Sequence, residues 1–280
     1  MPTLLIVGGG LFGSQAAAYA RLKGIEAIVF DPGLDGAASP AAAGLFKEAW
    51  AGARFAQHFQ RALPVLERLY GIRSVPLTHD DGRVESFLCV PPTAILERAP
   101  MRQTVTAIGD GWLEADGQRH EGWVYVAAGV WCEQFLAGLR IIGKAGAAFA
   151  FAGERAGHIR ELVYGRQAVA FVRDAGATHF SDGTAELDYA DRHERATLEH
   201  AHSLGLTGTP LVRWWGRRPY TPGGPLFVKI GARTWLATGG RKMGTIFGAS
   251  FAMRLVEEEL ILADYSFTPG IRGISPLGLG

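Results

Sequence analysis

A short apolar strand, a glycine-rich turn, a small-residue helix and a second strand ending in a carboxylate follow one another without interruption over residues 3–31. The run TLLIV at residues 3–7 is apolar and β-prone, and Gly8, Gly10 and Gly13 form G-x-G-x-x-G. Residues 14–23 then read as an alanine-rich helix, while Leu4, Ile6, Ile28 and Phe30 fit two neighbouring buried parallel strands. Each glycine has its own task. The first allows the tight turn, the second lets a pyrophosphate approach the backbone, and the third lets the helix pack closely on the strand with its positive end under the phosphates. Asp31 stands roughly 20 residues beyond the glycines, where a carboxylate accepts hydrogen bonds from ribose hydroxyls. An adenosine-containing dinucleotide is therefore the expected ligand of this unit.

The rest of the composition narrows the classes. A chain of 280 residues, 48% of them hydrophobic, can build one large or two modest cored domains. With 28 basic against 27 acidic side chains, no global field selects a polyanion or a membrane surface. The apolar N-terminal run is short, lacks a basic flank and leads straight into the turn, so it reads as a core strand and not a signal peptide. No apolar run is long enough to span a bilayer, and no membrane partner is expected. Cys89 and Cys132 lack the spacing of a zinc site or a disulfide framework, and a cytoplasmic location is the expectation.

After Asp31 the stretch PGLDGAASPAAAGLF cannot hold a bulky core and reads as a cofactor-facing loop. Phe55, Phe59, Leu63, Leu66 and Tyr70 give residues 54–70 helical spacing closed by Gly71, with a kink expected at Pro64. Residues 75–90 have hairpin character around Asp81-Gly82. Strands are expected at residues 104–108, 112–115, 123–127, 144–151 and 167–172, with 179–182 a short continuation. Asp191 opens a helix with Glu194 in capping-box position, and His193, His200 and His202 are placed on its exposed side without a metal role. A last strand at residues 234–238 runs into glycines and a long helix. The expected fold class is α/β: a Rossmann-like dinucleotide domain made of residues 1–70, 90–142 and 222–280, with an inserted mixed β-sheet domain made of residues 71–89 and 143–221.

Three separated segments, VGGGLFGSQAAAYARLKGIEAIVFD, WVYVAAGVWC, and GRRPYTPGG followed by ATGGRKMGTIFGASFAMRLVEEE, together resemble the FAD-dependent D-amino-acid oxidase family, of the glycine oxidase and sarcosine oxidase type. The resemblance implies FAD stretched across the first domain and a mixed sheet roofing the flavin. It departs from the family at PPTAILERAPMRQTVT, where residues 91–106 leave room for only a short helix before Pro100.

On this resemblance Gly8, Gly10, Gly13 and Asp31 hold the ADP half of FAD. Ser39, with the backbone of residues 41–45 that includes Gly44, carries the chain past the pyrophosphate, and Gly129 belongs to the central segment. Gly239, Gly240 and Gly244 bring backbone N–H groups and a helix N-terminus toward the flavin, stabilising charge on the reduced ring. The family's attachment positions carry neither Cys nor His here, so the FAD is expected to be non-covalent. Arg218 matches the arginine whose planar fork binds the substrate carboxylate; the ordinary alternative is a surface ion pair. Lys242 occupies a position close to the ring or substrate, or is simply a solvated lysine at a helix start. Trp214, Trp215 and Tyr220 flank Arg218, with Trp215 and Tyr220 as pocket candidates.

The expected activity is oxidation of the C–N bond of an α-amino acid or N-substituted glycine, with oxygen or another acceptor reoxidising the flavin. A second reading keeps that chemistry on a glycine-bearing aminomethyl nucleobase in nucleic acid, with Arg213, Trp214, Trp215, Arg217 and Arg218 supplying stacking and phosphate contacts. A third is a non-catalytic flavin-binding subunit of an amine dehydrogenase complex. The oligomeric state is left open.

Overall fold

The computed structural model describes residues 3–162, 166–187 and 191–261. Its first sheet grows from the N-terminal unit. Strands β1 (Leu4–Val7) and β2 (Ala27–Phe30) run parallel, with Leu5 opposite Ile28 and Val7 opposite Phe30. Helix α1 (Leu11–Leu22) makes the crossover and starts inside the glycine turn, three residues earlier than the sequence pattern implies, so Gly13 is itself helical. A Cβ on Gly13 would lie 1.9 Å from the Gly8 carbonyl oxygen, so the helix can sit this close to the strand only with glycine there.

The large element order beyond this unit follows the chain. A two-residue strand β3 (Leu45–Phe46) precedes α2 (Glu48–Tyr70), and the hairpin β4 (Arg73–His79) and β5 (Val84–Cys89) follows around Asp81-Gly82. Only one turn of helix, α3 (Pro92–Ile95), fits before Pro100, consistent with the shortened segment. An antiparallel meander of β6 (Val105–Gly109), β7 (Trp112–Ala115) and β8 (Gln118–Glu121) leads to β9 (Trp123–Val126) and a 3-10 turn over Gly129–Phe135. Next come β10 (Ile142–Ala152), β11 (His158–Glu161), β12 (Gln167–Asp174), β13 (Ala177–Ser181) and α4 (Asp191–Ser203). Strands β14 (Val212–Tyr220), β15 (Leu226–Gly231) and β16 (Thr234–Thr238) precede α5 (Gly244–Met253), which continues as a wider π-helical stretch over Arg254–Ile261.

The first sheet has the order β15-β16-β9-β1-β2, with β16, β9, β1 and β2 parallel and β15 antiparallel at one edge. Its parallel strands are almost wholly buried on both faces, as a parallel sheet requires, whereas β15 at the edge is part-exposed. Leu4 and Ile6 enter the core shared with α1, α2 and α5, and Leu5 and Val7 enter the core on the other face with Val105, Leu113 and Ala115 of the meander. The second sheet is mixed, in the order β14-β10-β13-β12-β11-β4-β5-β3. Helix α4 covers its outer face through Ala201 against Phe149, Phe151 and Phe180. Two layered sheets of these kinds make the fold α/β with a mixed-sheet insertion.

Some local expectations change. Pro64 does not break α2. The discontinuity is at Gly52, with φ 60° and ψ 177°, and the unbroken helix starts just beyond it. Pro64 is exposed, where the hydrogen bond it forgoes and its ring face solvent. Residues 177–181 are a full strand paired with β12 and not a continuation of it. Residues 45–46, within the sequence assigned to the first domain, pair with β5 in the second sheet. Residues 262–280 of the assigned C-terminal segment lie outside the described residues.

Candidate active site

The C-terminal ends of β1, β9 and β16 meet the inner face of the second sheet, and a cleft of about 440 Å³ opens between them. Ligands of open α/β sheets bind at such strand ends, where turns present backbone N–H groups. Gly8, Gly10, Asp31, Ser39, Gly44, Gly129, Gly240 and Gly244 line this cleft together with Arg218, Tyr220 and Lys242. Gly13 lies beneath the turn, Gly239 packs against Thr221, and Trp215 is on the far side of β14, 44% exposed and stacked on Gly36.

At one end stands the N-terminal unit. Gly8 has φ +100°, and a Cβ there would press on the Ala127 carbonyl oxygen at 2.7 Å. The Asp31 carboxylate is fixed from two sides: its Oδ2 accepts from the Gly9 N–H at 2.6 Å and its Oδ1 from the Gly33 N–H at 2.7 Å. Each oxygen keeps a further lone pair, and the group borders the cleft, the arrangement a ribose diol needs. Ser39 Oγ accepts the Leu11 N–H at 2.9 Å, placing a hydroxyl at the α1 N-terminus where phosphate oxygens would sit. These residues fit the ADP half of a dinucleotide.

The loop that follows Asp31 is clamped to the second sheet by a residue the sequence reading missed. Arg173 on β12 is 4% exposed, donates to the carbonyls of Pro40 and Ala42 at 3.0 and 2.9 Å, and pairs with Asp174 at 2.7 Å. Its guanidinium also lies 4.5 Å from the centre of the Trp214 ring. A neighbouring device is Gly216, where a Cβ would meet Ala38 Cα at 2.5 Å. Both contacts join segments far apart in the chain, so no local pattern announces them.

The other end of the cleft is cationic. Arg166, Arg217, Arg218, Arg241 and Lys242 line it, and Asp31 is the one carboxylate among the described lining residues. Alternation along β14 turns Trp214, Gly216, Arg218 and Tyr220 toward one face of the sheet, with Arg218 opposite Lys144 on β10. Arg218 has no carboxylate partner among the described residues, unlike Arg213, which pairs with Glu194. Tyr220 carries Lys144 at 5.1 Å and Arg241 at 5.2 Å from its ring centre. Lys242 Nζ lies 4.9 Å from the centre of the Trp50 ring. Its side chain borders the cleft with much surface open, yet crowding by protein atoms, and after it the charge of Lys47, lowers its pKa.

The same alternation splits the Arg213, Trp214, Trp215, Arg217 and Arg218 cluster. Trp214 lies on the inner face against Arg173 and His179, and Trp215 on the other, so the two rings form no common stacking platform. Nor are the α4 histidines all free. His200 Nδ1 meets buried Asp182 Oδ2 at 2.9 Å, and Glu194, expected to cap the helix, is engaged by Arg213. Among the described residues no group of His, Cys, Asp and Glu side chains has the geometry of a metal site, and no helix is long and apolar enough to cross a membrane.

No protein-family model and no curated protein sequence matches the chain. Solved structures do. Iminodiacetate oxidase from Chelativorans is similar over 92% of this chain and 95% of its own, at 17% identity and a TM-score of 0.69. For glycine oxidase from Bacillus cereus the figures are 94% and 100%, 16% and 0.66. An FAD-dependent oxidoreductase from Pseudomonas aeruginosa covers 94% of its length on 98% of this one, at 16% identity and a TM-score of 0.65. The chain therefore has, over nearly its whole length, the fold shared by these amino-acid oxidases and FAD-dependent oxidoreductases.

Proposed function

We propose that the protein is an FAD-dependent oxidoreductase that oxidises the C–N bond of an α-amino acid or N-substituted glycine. The observation that carries this reading is the placement of Arg218, cleft-facing and without a carboxylate partner among the described residues, on the sheet opposite the unit of residues 8–31 that fits an ADP moiety. The named activities of the similar structures, glycine oxidase and iminodiacetate oxidase, support it.

Gly8, Gly10, Asp31, Ser39 and the α1 N-terminus would hold the ADP half of FAD, and residues 41–45, Gly129, Gly240 and Gly244 border the remainder of the cleft. FAD supplies, when bound, the acceptor for the substrate's Cα hydride; the amine loses a proton, and water hydrolyses the resulting imine to a carbonyl compound and a free amine. Arg218 orients the substrate by its carboxylate, and the fork fixes both position and plane. Phe12, Trp50 and Val169, with the alanines at 41–43, make the walls apolar and exclude water from the reacting end. Lys242 adds positive charge at the cleft edge, and the N-terminus of α5 adds the positive end of a helix dipole. No Cys or His lines the cleft among the described residues, which supports a cofactor held without a covalent bond.

The test is anaerobic mixing of the FAD-loaded protein with glycine, sarcosine, iminodiacetate, and D- and L-amino acids. Loss of the visible flavin absorbance with at least one of them is expected. An oxidised spectrum that persists with all of them, in protein whose flavin dithionite still bleaches, overturns the reading.

A further inference from the structure

Two arginines in the cleft share an unusual condition: neither Arg218 nor Arg166 has a carboxylate partner among the described residues. The remaining cationic groups are engaged or open. Arg241 donates to the Thr221 carbonyl at 3.3 Å, Arg217 is exposed, and Lys242 sits over Trp50.

Arg166, immediately before β12, and Arg218, on β14, both approach the contact between Thr184 and Gly146. The Thr184 carbonyl oxygen presses so closely on Gly146 that a Cβ there would be 2.2 Å from it, and that same position would be 3.5 Å from Arg218 Nη2. On the other side of the contact, Arg166 Nη1 reaches Thr184 Oγ1 at a long 3.4 Å. Arg166 Nε is buried and has no hydrogen-bond acceptor. A guanidinium left short of acceptors is costly, and an anion entering the cleft that Arg166 lines can relieve that cost through the part of the group facing it. Asp182, two residues before Thr184, is already engaged: its Oδ1 accepts the Thr184 N–H and its Oδ2 meets His200, each at 2.9 Å. The ADP-binding unit does not serve Arg166 either, since its phosphate position lies at the α1 N-terminus on the other sheet.

We propose that Arg166 receives a second carboxylate of the substrate, so that the preferred amine is a dicarboxylate held at one end by Arg218 and at the other by Arg166. This rests on the reading that Arg218 takes a substrate carboxylate. It makes Arg166 the residue that separates dicarboxylate from monocarboxylate amines.

The test compares matched pairs in anaerobic flavin reduction by the FAD-loaded full chain. Iminodiacetate against sarcosine places the second carboxylate on the nitrogen substituent, and aspartate against alanine places it on the side chain. In at least one pair the dicarboxylate should be favoured on the order of 100-fold in reduction efficiency, the range of a buried charge-assisted pair. Arg166→Met should collapse that ratio toward one, and Arg166→Lys should restore part of it, with FAD content and far-UV dichroism confirming the fold of each variant. Calorimetry with malonate, succinate and acetate gives a readout independent of turnover. Tighter dicarboxylate binding that Arg166→Met abolishes supports the site even if no amine bleaches the flavin, an outcome that would count against the oxidation reading alone. Equal handling of both members of both pairs, or a preference that survives Arg166→Met, overturns the proposal.

Discussion

Single residues set the chemistry of this cleft. Asp31 borders the cleft and is held by two backbone N–H groups, and replacing it with alanine strands those donors and, on the proposed mode of FAD binding, the ribose hydroxyls. Asp31→Ala should weaken FAD binding by about 1–3 kcal/mol, measured by fluorescence titration of the apoprotein. An unchanged dissociation constant would show that the ribose is bound elsewhere. Lys242 offers a pH test. Its pKa is lowered, mainly by crowding and then by Lys47, so its ammonium is lost at lower pH than that of a free lysine. If that charge assists flavin reduction, the rate should fall on an alkaline limb that Lys242→Arg shifts upward and Lys242→Met removes; a limb that persists in the methionine variant assigns it to another group. The residues of the N-terminal unit were legible in the sequence because all lie within one βαβ segment. Arg166 and Arg173 were not, since their partners lie in loops remote in the chain, and Trp215 was misjudged because strand alternation, invisible until β14 is known, turns it away from the cleft.

Elements locate those residues, and two strands of the second sheet show how. Strand β12 carries Arg173, which fastens the loop at residues 40–42 to the second sheet. Arg173→Met should lower stability by about 2–4 kcal/mol, because it leaves two carbonyls and part of Asp174 without their donor, and it should weaken FAD binding as the loop loosens. Urea denaturation with and without FAD separates the two effects; a variant as stable and as avid for FAD as the parent would dismiss the clamp. Strand β13 carries His179, 2% exposed among Phe171, Trp214 and Arg173, with both ring nitrogens lacking hydrogen bonds. Burial, and after it the Arg173 charge, holds its pKa well below the usual 6.5, so it stays neutral when folded but takes a proton when unfolded. The stability this contributes is complete above pH 6.5 and is lost as pH falls through the folded-state value. Melting temperature should drop from pH 7 to pH 5, less steeply in His179→Leu; an identical slope in both would place the proton uptake elsewhere, with His58, lowered in the same direction, the next group to examine. Hairpins and helices with clean periodicity were readable in advance. Strand β14 was not, because VRWWGRRPY has no alternation of apolar and polar residues: one face serves the cleft and the other the protein's edge.

For the whole molecule, the account is that a five-stranded dinucleotide sheet and an eight-stranded mixed sheet close on a cleft whose ADP end is built by residues 8–39 and whose reacting end is built around Arg218. The pairing of β1 with β2 follows from sequence, since both strands lie in one contiguous βαβ segment. The order within the larger sheet does not, because β3, β11 and β14 find partners remote in the chain. The central claim is that Arg218 fixes a substrate carboxylate so that the amine's Cα–H is delivered to a bound flavin. It is tested most directly by the single-turnover rate of anaerobic flavin bleaching in Arg218→Ala beside the parent, both loaded with FAD and mixed with the best carboxylate-bearing amine. The account predicts that FAD content is retained while reduction efficiency falls by roughly 2–5 kcal/mol in transition-state terms, with Arg218→Lys recovering only part because it keeps the charge but not the fork. Bleaching of Arg218→Ala as efficient as that of the parent would contradict it.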